Sequence, residues 1–386
     1  MPAEKIPKPM GERFLSASGI ALINVRILPA TLRSPPTSRP MSSPHPHADP
    51  PFPPVCWDPW VLKDGDQYRL FYLSGNPDED PWWKTGWIGG AVSSDLRQWQ
   101  HLGPVLTPLP AHEWESGRIF AGNCYQEQAQ YYLFYSAASA QAYDQEHIGL
   151  ATSTDGTTWQ RSPHPLLPLP AQGTLFGRCH RTGHLHWRDP AIYHDIASGK
   201  YYLYFCAFLA GLGTAENNYL GSIGLAVADH IAGPYQLLEP PVGPTPDTTE
   251  TWPFYHLERP QILHVDGQFH LFFSCFKEFV NPRWLDEIGA DTVTDSTLYW
   301  YVSDRITGPF QPISDRPIVP GSNQTGLYGS QFFPLAHIDE HYRMVVLGWF
   351  YETYQLAIAQ EFVASYREHH FTQTLRIVSD FLGSPG

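Results

Sequence analysis

From Trp57 onward the apolar residues fall in short runs of four to eight, broken by polar turns, with none of the three-to-four spacing that an amphipathic helix imposes. One phrase recurs five times: "WDPWVLKDGDQYRLFYLSG", "AGNCYQEQAQYYLFYSAAS", "RDPAIYHDIASGKYYLYFCA", "ERPQILHVDGQFHLFFSCF" and "SQFFPLAHIDEHYRMVVLGWF". Each reads as a strand, a polar turn and an aromatic-rich strand. Anchored on Asp58, Asn123, Asp189, Glu258 and Gln331, the copies are spaced by 65, 66, 69 and 73 residues, too long for one hairpin and right for four short strands with loops.

A second phrase fills the other half of four units: "GGAVSSDLRQWQ", "GLATSTDGTTWQ", "GLAVADHIAGPYQ" and "YWYVSDRITGPFQ". In each, an apolar strand runs into a tight turn at Asp95, Asp155, Asp229 or Asp304, and an aromatic residue follows. These aspartates are expected in Asx turns, the carboxylate bonding its own backbone while the ring packs between strands. Four-stranded antiparallel units repeated five times around an axis predict an all-β protein, a five-bladed β-propeller with a central channel.

Residues 29–54 are too rich in proline for a central strand and too polar for a core, so they are expected to form an extended wrap or tether. Before them, "IALINVRIL" at residues 20–28 is a plausible lone strand, able to complete the last blade. The chain therefore divides into an N-terminal segment, residues 1–54, and a propeller domain, residues 55–386.

Composition agrees: 38 prolines, 31 glycines and 14% aromatic residues fit short strands and many turns, and fit a helical bundle poorly. A formal charge of −14 argues against a nucleic-acid or anionic-membrane partner, both of which need a basic face, and leaves a small neutral substrate as the better fit. No apolar segment reaches the roughly 18 residues of a membrane span, and the N-terminus shows no signal-peptide core. Cys56, Cys124, Cys179, Cys206 and Cys275 are odd in number and lack CxxC spacing, as expected of buried reduced thiols in a cytoplasmic protein.

In a propeller the first strand of every blade lines the channel, so matched positions converge although they are distant in sequence. Asp58, Asp189 and Glu258 hold that place to within one residue. Three carboxylates at one mouth repel one another and are costly to bury unless each has a partner or a task, and Arg188 and Arg259 are adjacent partners. Paired carboxylates flanking a bond are the equipment of glycoside hydrolysis, one ionised to attack or to activate water, the other protonated to release the leaving oxygen. Trp57 and Trp60, Trp187, and Trp82, Trp83 and Trp87 of "PDEDPWWKTGW" offer rings on which a sugar face stacks, or packing between blades.

At "VCWDPW" (55–60), "WRDP" (187–190), "LERP" (257–260), "YVSDRITGPFQPI" (301–313) and "YGSQFFP" (328–334) the sequence resembles the fructan-active glycosidases of families 68 and 32, the levansucrase and invertase families, with family 68 the nearer. The resemblance covers most of residues 55–350. It implies a retaining mechanism on a β-fructofuranoside such as sucrose, hydrolysed with some transfer to sugar acceptors. Asp58 would be the nucleophile, Glu258 the acid/base, and Asp189 the carboxylate that holds sugar hydroxyls and stabilises the oxocarbenium-like transition state. Arg259 and Tyr328 match substrate-binding positions, and Trp57 matches the ring flooring the fructosyl site. Arg188, which keeps Asp189 charged, completes the expected substrate-binding group together with the residues below.

This chain departs from that pattern around the leaving group. Where the family has Trp-Ser-Gly-Ser in blade two, it has "FAGN": Phe120 keeps the ring and Ala121 has no hydroxyl. His256 replaces an acidic residue two places before the acid/base, Gln331 replaces a histidine after "YGS", and Lys277 is the basic residue nearest an expected arginine. No cofactor is implied. A metal site through Cys179, His180, His184 and His186 lacks a fixed ligand framework, so none is expected. Two other readings remain: an inverting arabinofuranosidase or xylosidase of the related family 43 type, and a propeller that binds sugar without turnover.

Overall fold

In the computed structural model, the structure describes residues 52–373 except 80, 172–174, 180–181, 213–219, 294–295, 315–318, 322–327, 339–340, 351–352 and 366–369. The strand expected at residues 20–28 and nearly all of the proline-rich stretch lie outside the described residues.

Five antiparallel sheets follow one another along the chain. The first holds β1 (Cys56–Asp64), β2 (Gln67–Ser74), β3 (Trp87–Ser93) and β4 (Gln100–Leu106). The second holds β5 (Arg118–Glu127), β6 (Gln130–Ser139), β7 (Ala142–Ser153) and β8 (Gln160–Arg161). The third holds β9 (Trp187–Asp195), β10 (Lys200–Phe208), β11 (Gly221–Ala228) and β12 (Gln236–Val242). In the fourth, β13 (Glu258–Val265), β14 (Gln268–Cys275) and β15 (Ser296–Ser303) are joined by two short strands, β16 (Gln311–Pro312) and β17 (Val319–Gly321), which both pair with β15. A short helix, α1 (Pro282–Ile288), with its N-terminus capped by the Asn281 side chain, lies between β14 and β15. Among the described residues the last sheet holds β18 (Tyr328–Ile338), β19 (His341–Phe350), β20 (Gln355–Ser365) and β21 (His370–Gln373). First strands touch first strands around the circle, β1 with β5, β5 with β9, β9 with β13, β13 with β18 and β18 with β1, which makes the five-bladed propeller.

Aromatic and branched side chains from facing blades fill the interfaces, with Trp60, Trp187 and Trp300 among the largest fully buried. Burial on both faces explains why the middle strands read as continuous apolar runs rather than alternating ones. All five cysteines are free and buried, as the spacing suggested. Among the described residues no helix is long and apolar enough to cross a membrane.

The turn aspartates divide into two kinds. Asp95 and Asp155 form the expected Asx turns, each accepting two backbone N–H bonds from residues two and three places on, all at 2.7–2.8 Å. Asp229 and Asp304 instead reach the neighbouring hairpin, to Lys200 Nζ at 2.5 Å and Gln268 Nε2 at 3.1 Å. Their turns are two residues longer and close through the backbone, His230 C=O accepting from Gly233 and Arg305 C=O from Gly308, so the carboxylates are released for other work.

Candidate active site

Every first strand carries a bulge at the same height. Pairing jumps between Trp57 and Trp60, Phe120 and Gly122, Arg188 and Ala191, Glu258 and Gln261, and Tyr328 and Gln331. The bulged residue is left-handed in four blades: Asp58 at φ 46°, Asp189 at 53°, Arg259 at 56° and Gly329 at 58°. Non-glycine residues rarely adopt this conformation, aspartate more readily than most, and each costs about 1–3 kcal/mol. The proline after Asp58, Asp189 and Arg259 lacks an N–H where the ladder is interrupted, so the bulge loses nothing to it. Charges therefore precede proline at the start of these strands because the backbone is turned there to aim a side chain at the channel mouth.

The bulges also correct the alignment of the repeats. Asp58, Ala121, Asp189, Arg259 and Gly329 are equivalent, and the residues before them, Trp57, Phe120, Arg188, Glu258 and Tyr328, form a second ring. Asn123 and Gln331 stand two residues past the bulge, and Glu258 stands one before it. The acid/base candidate thus occupies the ring of Trp57 and Arg188, not that of the two aspartates.

The three carboxylates meet. Asp58 Oδ1 accepts from Trp349 Nε1 at 2.9 Å. Asp189 Oδ2 accepts from the Arg259 backbone N–H at 3.0 Å and from Cys206 Sγ at 3.4 Å, with Arg188 Nε 3.9 Å away. Glu258 receives Arg188 Nη2 on one oxygen and the Tyr328 hydroxyl on the other. Burial pushes Asp58 up to about 7; Arg259 opposes this, while Asp189 and Glu258 reinforce it. Burial also raises Asp189, against Arg188 and Arg259, with Glu258 adding to the rise. Asp58 is held next to Gly329 so closely that a Cβ there would stand 2.5 Å from Asp58 Oδ1 and 3.1 Å from Trp349 Nε1, which is why blade five carries glycine at the bulge.

Arg188 links this cluster to a buried acid, Glu146, that no motif in the sequence singles out. Its Nη1 lies 3.2 Å from Glu146 Oε1, which also receives Arg118 Nη2 at 3.2 Å. Burial alone would raise Glu146, but the two guanidinium groups hold it below the ordinary carboxylate range. Arg118, pushed down to about 10 by burial, lies 4.0 Å over the Phe120 ring and holds it in place.

The remaining residues expected in the site fall around this cluster. Trp57 is buried edge-on to Trp82, with ring centroids 4.3 Å apart, and Trp82 meets Tyr354 at the same distance. Tyr328 stacks on Phe276 at 4.1 Å. Trp83 sits beside Phe120 and Arg118, and Trp60 packs on Phe71 in the blade. His256 Nε2 is 3.8 Å from Glu258 Oε1, its ring edge-on to Phe279 and 5.2 Å from His186. Arg259 sends its guanidinium to the backbone carbonyls of Gly122 at 3.1 Å and Pro59 at 3.2 Å. Gln331 Oε1 accepts from Val61 N–H at 2.6 Å, stitching blade five to blade one. Below Arg259 a polar-walled cavity of about 120 Å³ continues the channel past Asn123, Gln261 and Ser330. His180 lies outside the described residues, and Cys179 is buried against the Tyr255 hydroxyl.

Residues 59–214 match the model of the glycosyl hydrolases family 32 N-terminal domain. The chain is 27% identical to a levansucrase of Erwinia amylovora over 174 residues, 39% of this chain and 38% of that one, and 27% identical to a levansucrase of Rahnella aquatilis over 192 residues, 44% and 43% of the two chains. The alignments thus span less than half the length of these relatives. Among solved structures, an inulosucrase from Halalkalicoccus jeotgali bound to kestose superposes with a TM-score of 0.64 at 20% identity, covering 89% of this chain and 92% of that one. A Bacillus subtilis levansucrase superposes with a TM-score of 0.61 at 16% identity, covering 86% and 88%. The resemblance read from the motifs is borne out, and so is the fold.

Proposed function

We propose that the protein is a retaining, fructosyl-transferring glycoside hydrolase acting on a β-fructofuranoside of the sucrose type. The observation that carries this reading is the junction of Asp58, Asp189 and Glu258 at one channel mouth, each in a different electrostatic setting. Levansucrases and an inulosucrase among the similar proteins support the fructosyl specificity over an arabinofuranosidase or a non-catalytic binder.

Ionised Asp58 attacks the anomeric carbon of the fructosyl unit, and the bond to the leaving oxygen breaks as Glu258 delivers its proton there. The product of this step is an ester between Asp58 and the sugar. Glu258, now a carboxylate, takes a proton from water or from an acceptor hydroxyl, whose oxygen attacks the same carbon and frees Asp58. Asp189 remains charged between Arg188 and Arg259 and faces the positive charge that develops on the ring in both steps. Trp57 and Phe120 supply walls for the sugar, and Tyr328 and Arg188 hold Glu258 in place. His256, beside Glu258, faces the leaving group.

Incubation with sucrose, raffinose, inulin and an aryl arabinofuranoside, followed by assay of released monosaccharides, tests the assignment. Glucose and fructose should appear from sucrose. Turnover of the arabinofuranoside with no reaction on any fructoside would overturn it.

A further inference from the structure

We infer that the catalytic carboxylates are aimed by a ring of contacts running from blade to blade, in which Ser136, Cys206 and Ser274 are positioning residues. The ring is read from hydrogen bonds at the bulges. Ser136 Oγ, on β6 of blade two, accepts the backbone N–H of Asp189 in blade three at 2.9 Å and donates to Ala121 C=O, at its own blade's bulge, at 2.8 Å. Asp189 Oδ2, in turn, accepts the backbone N–H of Arg259 in blade four, while Cys206 Sγ on β10 donates to the same oxygen. Ser274 Oγ, on β14 of blade four, accepts the backbone N–H of Gly329 in blade five at 3.1 Å. From blade five, Trp349 reaches Asp58 in blade one, and the Arg259 guanidinium ties Pro59 of blade one to Gly122 of blade two.

Each left-handed bulge in blades three to five therefore has its amide received by an acceptor on the preceding blade. This placement has a physical reason. A bulge removes the amide from its own sheet's ladder, and a buried N–H without a partner is costly. The acceptors Ser136 and Ser274 are themselves buried, at 0% and 1% exposure, so water cannot substitute for them. The side chain that satisfies the amide also sets the direction of the strained residue, and with it the carboxylate or the residue next to it. Ser136 and Ser274 occupy matching places, paired across their hairpins with Phe120 and Glu258, and Cys206 is paired in the same way with Arg188.

The inference rests on the proposed roles of the three acids, and its test separates the two. Ser136→Ala and Ser274→Ala should each lower kcat on sucrose by up to about 100-fold, as misplacement of reacting groups does, with little change in KM. Cys206→Ala should lower kcat with little change in KM, because Asp189 loses a donor that fixes its carboxylate; Cys206→Ser, which keeps a donor with a similar change in volume, should recover most of the loss. Equal effects of the two Cys206 variants would overturn the role of the thiol. Crystal structures of the two serine variants test the ring without reference to substrate: the bulge at Asp189 or at Gly329 should shift, and bulges left unmoved would overturn the proposal. A wild-type protein inert on every fructoside would remove the proposed activity and leave this structural test standing.

Discussion

Asp58→Asn should abolish turnover and at the same time stabilise the folded protein, by an amount that depends on pH. Burial raises the folded-state midpoint of Asp58 from the ordinary 3.8 to about 7. Folding therefore favours the protonated form. Below pH 4 the acid is protonated in both folded and unfolded chains and contributes no penalty; between pH 4 and 7 the unfolded chain ionises first, and stability falls as pH rises; above 7 the full penalty is present. At 1.36 kcal/mol per pH unit this amounts to about 4 kcal/mol. Asparagine retains an oxygen for the Trp349 indole N–H and carries no charge, so it removes the penalty. With an unfolding entropy of about 2.1 cal/mol/K per residue, the gain at pH 8 is about 5 °C in Tm, fading to nothing near pH 4. Differential scanning calorimetry of both proteins from pH 4 to 8 measures the difference directly. A Tm difference that is constant with pH, or a variant less stable than wild type at pH 8, would show that burial does not penalise the charged Asp58 carboxylate.

Other expectations follow from the same geometry. Glu258→Gln should lose far more activity on sucrose than on a fructoside with an activated aryl leaving group, which departs without a proton; equal losses, measured by steady-state kinetics, would exclude Glu258 as the acid. In the free enzyme the acidic limb of kcat/KM should lie near 7 rather than near 4, and Asp189→Asn, by removing a negative neighbour of Asp58, should shift that limb of the residual activity downward. Gly329→Ala should lower kcat sharply and destabilise the protein by a few kcal/mol, because the methyl meets Asp58 Oδ1 in a backbone conformation that alanine resists; kinetics and thermal unfolding close to wild type would contradict the close approach.

The repeat, and with it the propeller, was legible because each blade restates one phrase in apolar pattern and turn chemistry. The acids were legible for the same reason: Asp58 and Asp189 precede prolines at matching places, and Glu258 stands one residue away. Their register was not, because a bulge leaves no mark in an apolar count; Gln331 and Asn123 looked equivalent to Asp58 and stand two residues beyond its position. Trp349, Glu146, Ser136 and Cys206 were also invisible. They lie on second and third strands, where serine, cysteine and tryptophan read as ordinary core, and their partners belong to other blades or to distant strands. The Asx turns at Asp95 and Asp155 were local and came out as expected, whereas Asp229 and Asp304 answered to neighbouring hairpins that no short window contains.

The most direct test of the account is to trap the covalent intermediate. Protein mixed with sucrose and quenched in acid within the first turnovers, then digested and examined by mass spectrometry, should carry a hexosyl group on the peptide containing Asp58, and the Asp58→Asn variant should carry none. Rapid turnover with no adduct, or an adduct on Asp189 or Glu258, would contradict the assignment of Asp58 as the nucleophile.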